Sequence, residues 1–415
     1  MINDEYIELK ENYECKVLRY IFIGMILSVF LLSYYFRREV IGDIAAINII
    51  FMGLLSIYLL FNEKKINIKI TLVLMIIVTY IIFNDYLINN EGINTIFKNL
   101  CIAIMPISLL AIEIEKKYIK GVFISVTKAI NLFTVIIFAI GILDYLFNIG
   151  IMKFIADKFA TTLSGWIGYR YTSYMGHALF TKEIFIYFFL FNSICSKYLD
   201  ENLINKYIVM IMSLLGVLIT GSKAGVLLIV ISMIFTVDKK NKYVNIILSL
   251  MLILIIYYMG FFNMTISRLS NNTLTSGRTE AGAVIDELNI VPYKMFSGYG
   301  ENVQMIIEEN VGTTIATAAM EYPIKVWTLK YGILCTATIA ILIFIYPFLY
   351  MIKRKAYYLC FAFLIKVTEI NMYNGLVYKP DNMALFMIFT VLIMGISNLD
   401  KKALLDKERK NIKQI

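Results

Sequence analysis

Along this chain, apolar runs of about twenty residues are separated by short polar interruptions. About twenty residues is the length a helix needs to cross the hydrocarbon of a bilayer. Twelve such runs can be read, at 20–36, 40–61, 67–84, 95–113, 121–147, 179–199, 206–220, 223–237, 243–261, 324–350, 356–376 and 381–399. The pattern predicts an all-α, polytopic integral membrane protein of about twelve transmembrane helices. It divides the chain into an N-terminal tail (1–19), five spans (20–147), a first long loop (148–178), four spans (179–261), a large loop (262–323), three spans (324–399) and a C-terminal tail (400–415). The first nineteen residues are acidic and mixed in charge, unlike the basic start of a signal peptide, so the first run is expected to remain as a span.

Composition narrows the classes. Of 415 residues, 60% are apolar and 17% charged, against about 25% charged in a typical soluble domain, and the mean hydropathy is +0.74. No polar stretch exceeds roughly sixty residues, which excludes a secreted enzyme, a nucleic-acid-binding domain and a cytosolic dinucleotide-binding enzyme. The five cysteines lie in or beside apolar runs or on the N-terminal tail. No disulfide and no metal cluster is expected of them.

The net charge of +9 is informative through its placement. With the N-terminus in the cytoplasm, the inner segments carry 23 Lys and Arg, whereas the outer segments carry eleven over far more loop length. The positive-inside rule therefore predicts that both termini are cytoplasmic in the plasma membrane. Arg37 and Arg38 stand against it, as two cations in a short outer turn.

The loops are unequal. Inner connections are short and basic, while 148–178 and 262–323 are long and lie outside, and loops of that length usually carry function. The larger has three Lys/Arg and seven Asp/Glu. Ala281, Val284, Ile285 and Leu288 recur at helical spacing after Ser276-Gly277-Arg278, predicting a short amphipathic helix capped near Ser276 and stopped before Pro292. A second helix is expected through 302–309. No tandem repeat is visible, and the two halves lack the symmetry that many transporters carry.

The chain has no phosphate-binding glycine loop and no nucleophile elbow, and one histidine cannot build a multi-histidine metal centre. Scarce polar residues collect instead at the outer face: Arg170 and His177 in the first long loop, Lys223 in the Thr220-Gly221-Ser222-Lys223 turn, Arg278 in the large loop, and Glu321 before the tenth span. Arginine offers a planar donor fork that matches phosphate oxygens, so a cationic, partly dehydrated site here suits a pyrophosphate leaving group. Ordinary readings stand beside these. Arg170 and Arg278 fit solvated loop arginines or lipid-headgroup contacts, Lys223 a snorkelling lysine, His177 a loop histidine, and Glu321 an acid favoured by a helix N-terminus. Lys366 and Glu369, three apart on one helix, read first as a structural ion pair. Asp43, Asp85, Asp144 and Glu183 fall near outer helix ends, where most such residues mark the interface.

Four segments together resemble the integral-membrane polymerases of O-antigen and capsular polysaccharide (Wzy-type), relatives of the O-antigen ligases. They are Tyr169 to Leu179, led by Arg170; Leu218 to Leu227, with the Gly-Ser-Lys turn; Ser276-Gly277-Arg278 followed by Phe296-Ser297-Gly298-Tyr299-Gly300; and Glu321 to Ile333. Their order and shared membrane face make the likeness, over roughly residues 165–340. The chain departs from it twice: Glu321 stands where ligases commonly place a histidine, and Lys223 where the turn often has Arg.

The resemblance implies a GT-C-like, metal-independent glycosyltransferase with one large structured outer loop and no cofactor. Its donor and acceptor would be undecaprenyl-diphosphate-linked oligosaccharides, joined at the outer face of the cytoplasmic membrane. Arg170, Lys223 and Arg278 would hold pyrophosphate, and His177 or Glu321 would orient or deprotonate the acceptor hydroxyl. A flippase and a chain-length regulator would be candidate partners, nucleic acid would not. Two rivals remain at this level, a ligase-like glycan transferase of the same fold and a transporter of lipid-linked glycan. A cysteine placed at position 300 and labelled from outside tests the topology.

Overall fold

The computed structural model describes residues 2–31, 66–147, 149–151, 170–236, 277–373 and 375–399, together with 37, 53, 154, 257, 258, 260, 262 and 266. The runs read as spans at 40–61 and 243–261, the C-terminal tail, and most of 148–169 and 262–276 lie outside these residues, with Asp43, Tyr169 and Ser276 among them.

Among the described residues the elements are helices, with no strand beyond one isolated bridge between Ile66 and Ile112. In chain order they are α1 (Ile2–Phe30), α2 (Ile68–Ile88), α3 (Ile93–Ala111), α4 (Lys116–Phe147), α5 (Ala178–Tyr198), α6 (Lys206–Ile219) and α7 (Lys223–Thr236). There follow α8 (Arg278–Leu288), α9 (Val303–Val311), α10 (Thr313–Ala319), α11 (Pro323–Tyr331), α12 (Ile333–Lys353), α13 (Tyr357–Ile370), α14 (Gly375–Tyr378) and α15 (Pro380–Ile396). Five of them, α2, α3, α4, α5 and α12, are long and apolar enough to cross a membrane, and α6, α7 and α15 are shorter apolar helices.

Burial separates the bundle's centre from its rim. The apolar stretch of α5 is 94% buried, against 33% for those of α2, α4 and α12. A helix that is apolar all round belongs in the middle of a bundle, and one with a single packed face belongs at its edge. Along α15, residues from Met383 to Ile396 are buried almost without exception. The rings of Tyr187 and Phe191 on α5 meet Phe389 of α15 at 5.7 and 5.3 Å, so the two central helices pack directly.

Three boundaries depart from expectation. The tail and first span form one continuous helix, α1, which ends at Phe30 rather than 36. The run read as a span over 324–350 is broken at Gly332, whose φ of +86° no side chain tolerates easily, giving the short α11 before the span-length α12. The helix read over 356–376 stops at Ile370. In the large loop, α8 and α9 appear where helices were expected. The N-cap of α8 is Gly277 at φ +84°, with no side-chain cap.

Arg37 resolves its own anomaly. It is fully buried, donating to Ser28 O at 2.7 Å and pairing with Asp381 at 2.5 Å. A cation neutralised inside the bundle carries no topological vote, so it does not contradict the positive-inside count.

Candidate functional site

The site lies where α5 and α15 begin and α13 ends. Its outer layer hangs on the hairpin between α6 and α7. Gly221 turns the chain at φ +63°. Arg170 Nε donates to Thr220 O at 2.9 Å, and Tyr171 N donates to Ile219 O at 3.0 Å, fastening the first long loop to this turn. The loop is pinned again at its far end by Thr181, whose hydroxyl donates to Thr172 O at 2.5 Å and lies 2.8 Å from Ser173 Oγ. His177 is thereby held in extended backbone as the N-cap of α5, its ring stacked on Tyr373 with centroids 6.3 Å apart.

Burial drives the His177 imidazole well below its ordinary pKa, and Lys379, Arg170, Lys182 and Arg278 push it further in that order. It is neutral at pH 7, and its Nδ1 is buried without a hydrogen-bond partner. Arg278, the first residue of α8, pairs with Glu321 through Nε and donates from Nη1 to Met372 O at 2.6 Å. Burial raises the Glu321 carboxyl, while Arg278 and then Arg170 draw it back down. Arg170, His177, Arg278 and Glu321 therefore act on one another. Lys223 opens α7 from the turn that Arg170 grips, and is joined to the group through that backbone.

Beneath this layer is a second cluster that sequence reading assembled only in part. Lys182 and Glu183 on α5 meet Lys366 and Glu369 on α13, all four fully buried. Lys366 lies 3.0 Å from Glu183 and 2.6 Å from Glu369, and Lys182 pairs with Glu369. Asn382 of α15 donates to Glu183 at 2.5 Å, and the Tyr373 hydroxyl donates to the same carboxylate. The Lys366 ammonium also sits 3.6 Å from the centroid of the Tyr187 ring. Two cations and two anions balance here, as buried charges must. The expected Lys366–Glu369 pair exists as one edge of a four-charge network.

The glycines explain how the layers fit. Gly225, in the first turn of α7, lies against the Lys182 stem, where a Cβ would come within 2.7 Å of Cγ. The Gly-Ser-Lys-Ala-Gly stretch thus serves the buried layer as well as the turn. The Phe296-Ser297-Gly298-Tyr299-Gly300 segment is a fastening and no part of the polar site. Tyr299 N donates to Leu329 O at 2.8 Å, Ile333 N to Lys294 O at 3.0 Å, and Gly298 N to Asn84 Oδ1 at 2.8 Å. Lys330 pairs with Glu301 at 2.6 Å, and Glu301 N donates to Glu91 Oε1 at 2.5 Å. These bonds staple the large loop to the break at Gly332 and to the loop after α2.

Asp85 and Asp144 take structural partners. Asn84 and Asn99 donate to Asp85 at 2.9 and 3.1 Å, and Ile151 N donates to Asp144 at 2.9 Å.

Sequence reading missed Lys379, Tyr373, Asn382 and Lys182. The available signal was Lys182-Glu183 itself, two adjacent charges inside an apolar run. Chemically, the upper layer can bind a polyanion and offer a neutral imidazole nitrogen to a hydroxyl proton. The lower layer can hold Tyr373, and through it His177, in place. No protein-family model and no curated protein matches the chain.

Proposed function

We propose that this chain is an integral-membrane glycosyltransferase that polymerises undecaprenyl-diphosphate-linked oligosaccharide repeat units at the outer face of the cytoplasmic membrane. One observation carries the reading: Arg170, Arg278 and Lys379 all lie close enough to His177 to disfavour its protonation, and the Nδ1 of that neutral imidazole is buried without a hydrogen-bond partner. Cations gathered beside a proton acceptor suit a diphosphate leaving group. Arg170, Lys223 and Arg278 hold its oxygens, joined by Lys379. His177 orients the acceptor hydroxyl and takes its proton as oxygen attacks the anomeric carbon. The bond from that carbon to phosphate oxygen breaks, and the lipid diphosphate leaves with the electron pair, its charge stabilised by the arginines. Glu321 is then a partner that aims Arg278.

Gene deletion in the native host tests this. Loss of a polymerase leaves single-repeat glycans, whereas loss of a ligase leaves full-length lipid-linked chains unattached. Orientation is tested by labelling Phe296→Cys from outside, since Phe296 is 69% exposed. Position 300 is unsuitable, because a Cβ on Gly300 would collide with the Glu91 carboxylate.

A transporter reading draws support from the Lys182, Glu183, Lys366 and Glu369 network, since ionisable groups within spans often mark a substrate or proton path. It expects the deletion to strand lipid-linked repeats in the inner leaflet.

A further inference from the structure

At the end of α15 opposite His177 is a cavity of about 380 Å³, within the range of roughly 300–1,000 Å³ typical of small-ligand sites. It is bounded by the N-cap of α2, the α3–α4 connection, the last turns of α12 and the C-terminal end of α15. Seventeen helical residues separate it from the upper site, or roughly 25 Å at the rise of an α-helix. It thus opens where the span-length α3 and α12 end and α4 begins.

Its charged lining is mixed and not mutually neutralised. Arg354 spends Nε on Asn398 Oδ1 and one Nη on Tyr350 O at 3.3 Å, and stacks 3.6 Å from the centroid of the Tyr350 ring. Glu113 accepts from Asn67 Nδ2 at 3.2 Å. Among the described residues, Arg354, Lys116 and Glu113 line this cavity with no ion pair between them, whereas Glu115, also in the lining, pairs with Lys117 at 3.3 Å. Side chains that share a cavity without pairing are set too far apart to satisfy one another, and a ligand carrying both signs would bridge them.

We propose that this cavity binds a phosphate-bearing zwitterion of the phosphoethanolamine class, presented as a phospholipid headgroup. The phosphate lies between Arg354 and Lys116, where charge-assisted hydrogen bonds are strongest. The primary ammonium donates to Glu113 and faces the Tyr350 ring. Val391 and Met394 supply the apolar wall for the glycerol end. A trimethylated ammonium has no proton to donate to Glu113, and a glycerol headgroup lacks the cation.

The test is native mass spectrometry of the purified full-length chain with equal amounts of phosphatidylethanolamine, phosphatidylcholine and phosphatidylglycerol. Phosphatidylethanolamine is expected to be retained about tenfold over either competitor, the value of one hydrogen-bonded charge pair. Glu113→Gln should abolish its advantage over phosphatidylcholine, and Arg354→Gln should lower retention of both. Lys325→Gln, which pairs with Asp286 far from the lining, should change neither. Displacement by millimolar O-phosphoethanolamine assigns recognition to the headgroup alone, and resistance to it assigns it to the whole lipid. Equal retention of the three lipids by the wild-type chain overturns the proposal, as does a preference that survives both lining variants.

Discussion

Two clusters of charge lie one above the other at the same end of the bundle, and they differ in exposure. The lower, Lys182, Glu183, Lys366 and Glu369, is fully buried and sums to zero. The upper gathers Arg170, Arg278 and Lys379 around His177, and its Arg278–Glu321 pair is partly open. Neutrality is what a low-dielectric interior demands of charges that serve structure. The upper layer is only partly buried, so its cations can meet an anion that arrives from outside the fold. Tyr373 joins the two, donating to Glu183 below and stacking on His177 above.

The largest effect should come from unbalancing the lower layer. Lys366→Met leaves Glu183 without its cation, and breaking a buried pair this way costs about 3–5 kcal/mol. Adding Glu183→Gln restores neutrality, since Lys182 and Glu369 still pair, and should recover at least half of the loss. A double-mutant cycle of thermal unfolding in lipid nanodiscs reads this directly. If the double variant is no more stable than the single, the layer is not a balanced unit.

Removing a cation from the upper layer should act on function instead. Arg278→Ala is expected to lower polymer formation about 100-fold or more, the usual effect of deleting a group that meets developing charge. The stability loss should be near 1 kcal/mol, because its pair with Glu321 is partly exposed. Arg278→Lys should fail nearly as badly, since a point charge does not reproduce the guanidinium fork. Full-length polysaccharide from either variant, expressed at wild-type level, contradicts the assignment.

A smaller effect sharpens the role of the cations around His177. Burial and the surrounding cations hold His177 neutral as pH falls through 6.5, the pH at which an unfolded histidine would take up a proton. Activity should therefore persist below pH 6. Stability should decline over the same acid range, because there the unfolded chain binds the proton more readily. Lys379→Gln removes the strongest of the charges acting on His177, so the acid limb of the rate profile should move upward in pH. An unmoved limb means that His177 does not carry the essential proton.

The smallest effect tests the staple outside both layers. Burial raises the Glu91 carboxyl to about 6, partly offset by the Glu301 amide it accepts from. The folded chain thus holds a proton up to about pH 6 that the unfolded chain releases nearer 4.5. This contribution is present below pH 4.5 and is lost as pH rises through 6. Glu91→Gln should stabilise by at most about 1 kcal/mol at pH 7.5, given the partial exposure. It should do nothing below pH 4.5, as read from melting temperatures at the two values.

Helix limits were readable where polar residues bound an apolar run: 179–199 was expected and Ala178–Tyr198 is found, and 206–220 was expected and Lys206–Ile219 is found, although its fourteen residues fall short of a span. The break at Gly332 was legible and was missed: Pro323–Tyr331, with Lys325 and Lys330, is far less apolar than the stretch from Ile333 onward, and Lys330 before a glycine was a C-terminal signal. Arg37 misled because a count of loop cations has no way to see Asp381, 344 positions away. In the site, Arg170, His177, Arg278 and Glu321 stood out as rare polar residues at apolar helix ends. Tyr373, Lys379 and Asn382 did not, because only the return of α15 against α5 brings them there, and that packing has no local signature.

The central claim is that the cationic layer around His177 catalyses polymerisation of lipid-linked repeats. It is tested most directly by incubating the purified chain, in lipid, with lipid-linked single repeats extracted from the native host after deletion of this gene. The account predicts a ladder of longer lipid-linked glycans with wild-type protein and none with Arg278→Ala or His177→Ala. No ladder from the wild-type chain, or a ladder undiminished in both variants, would contradict it.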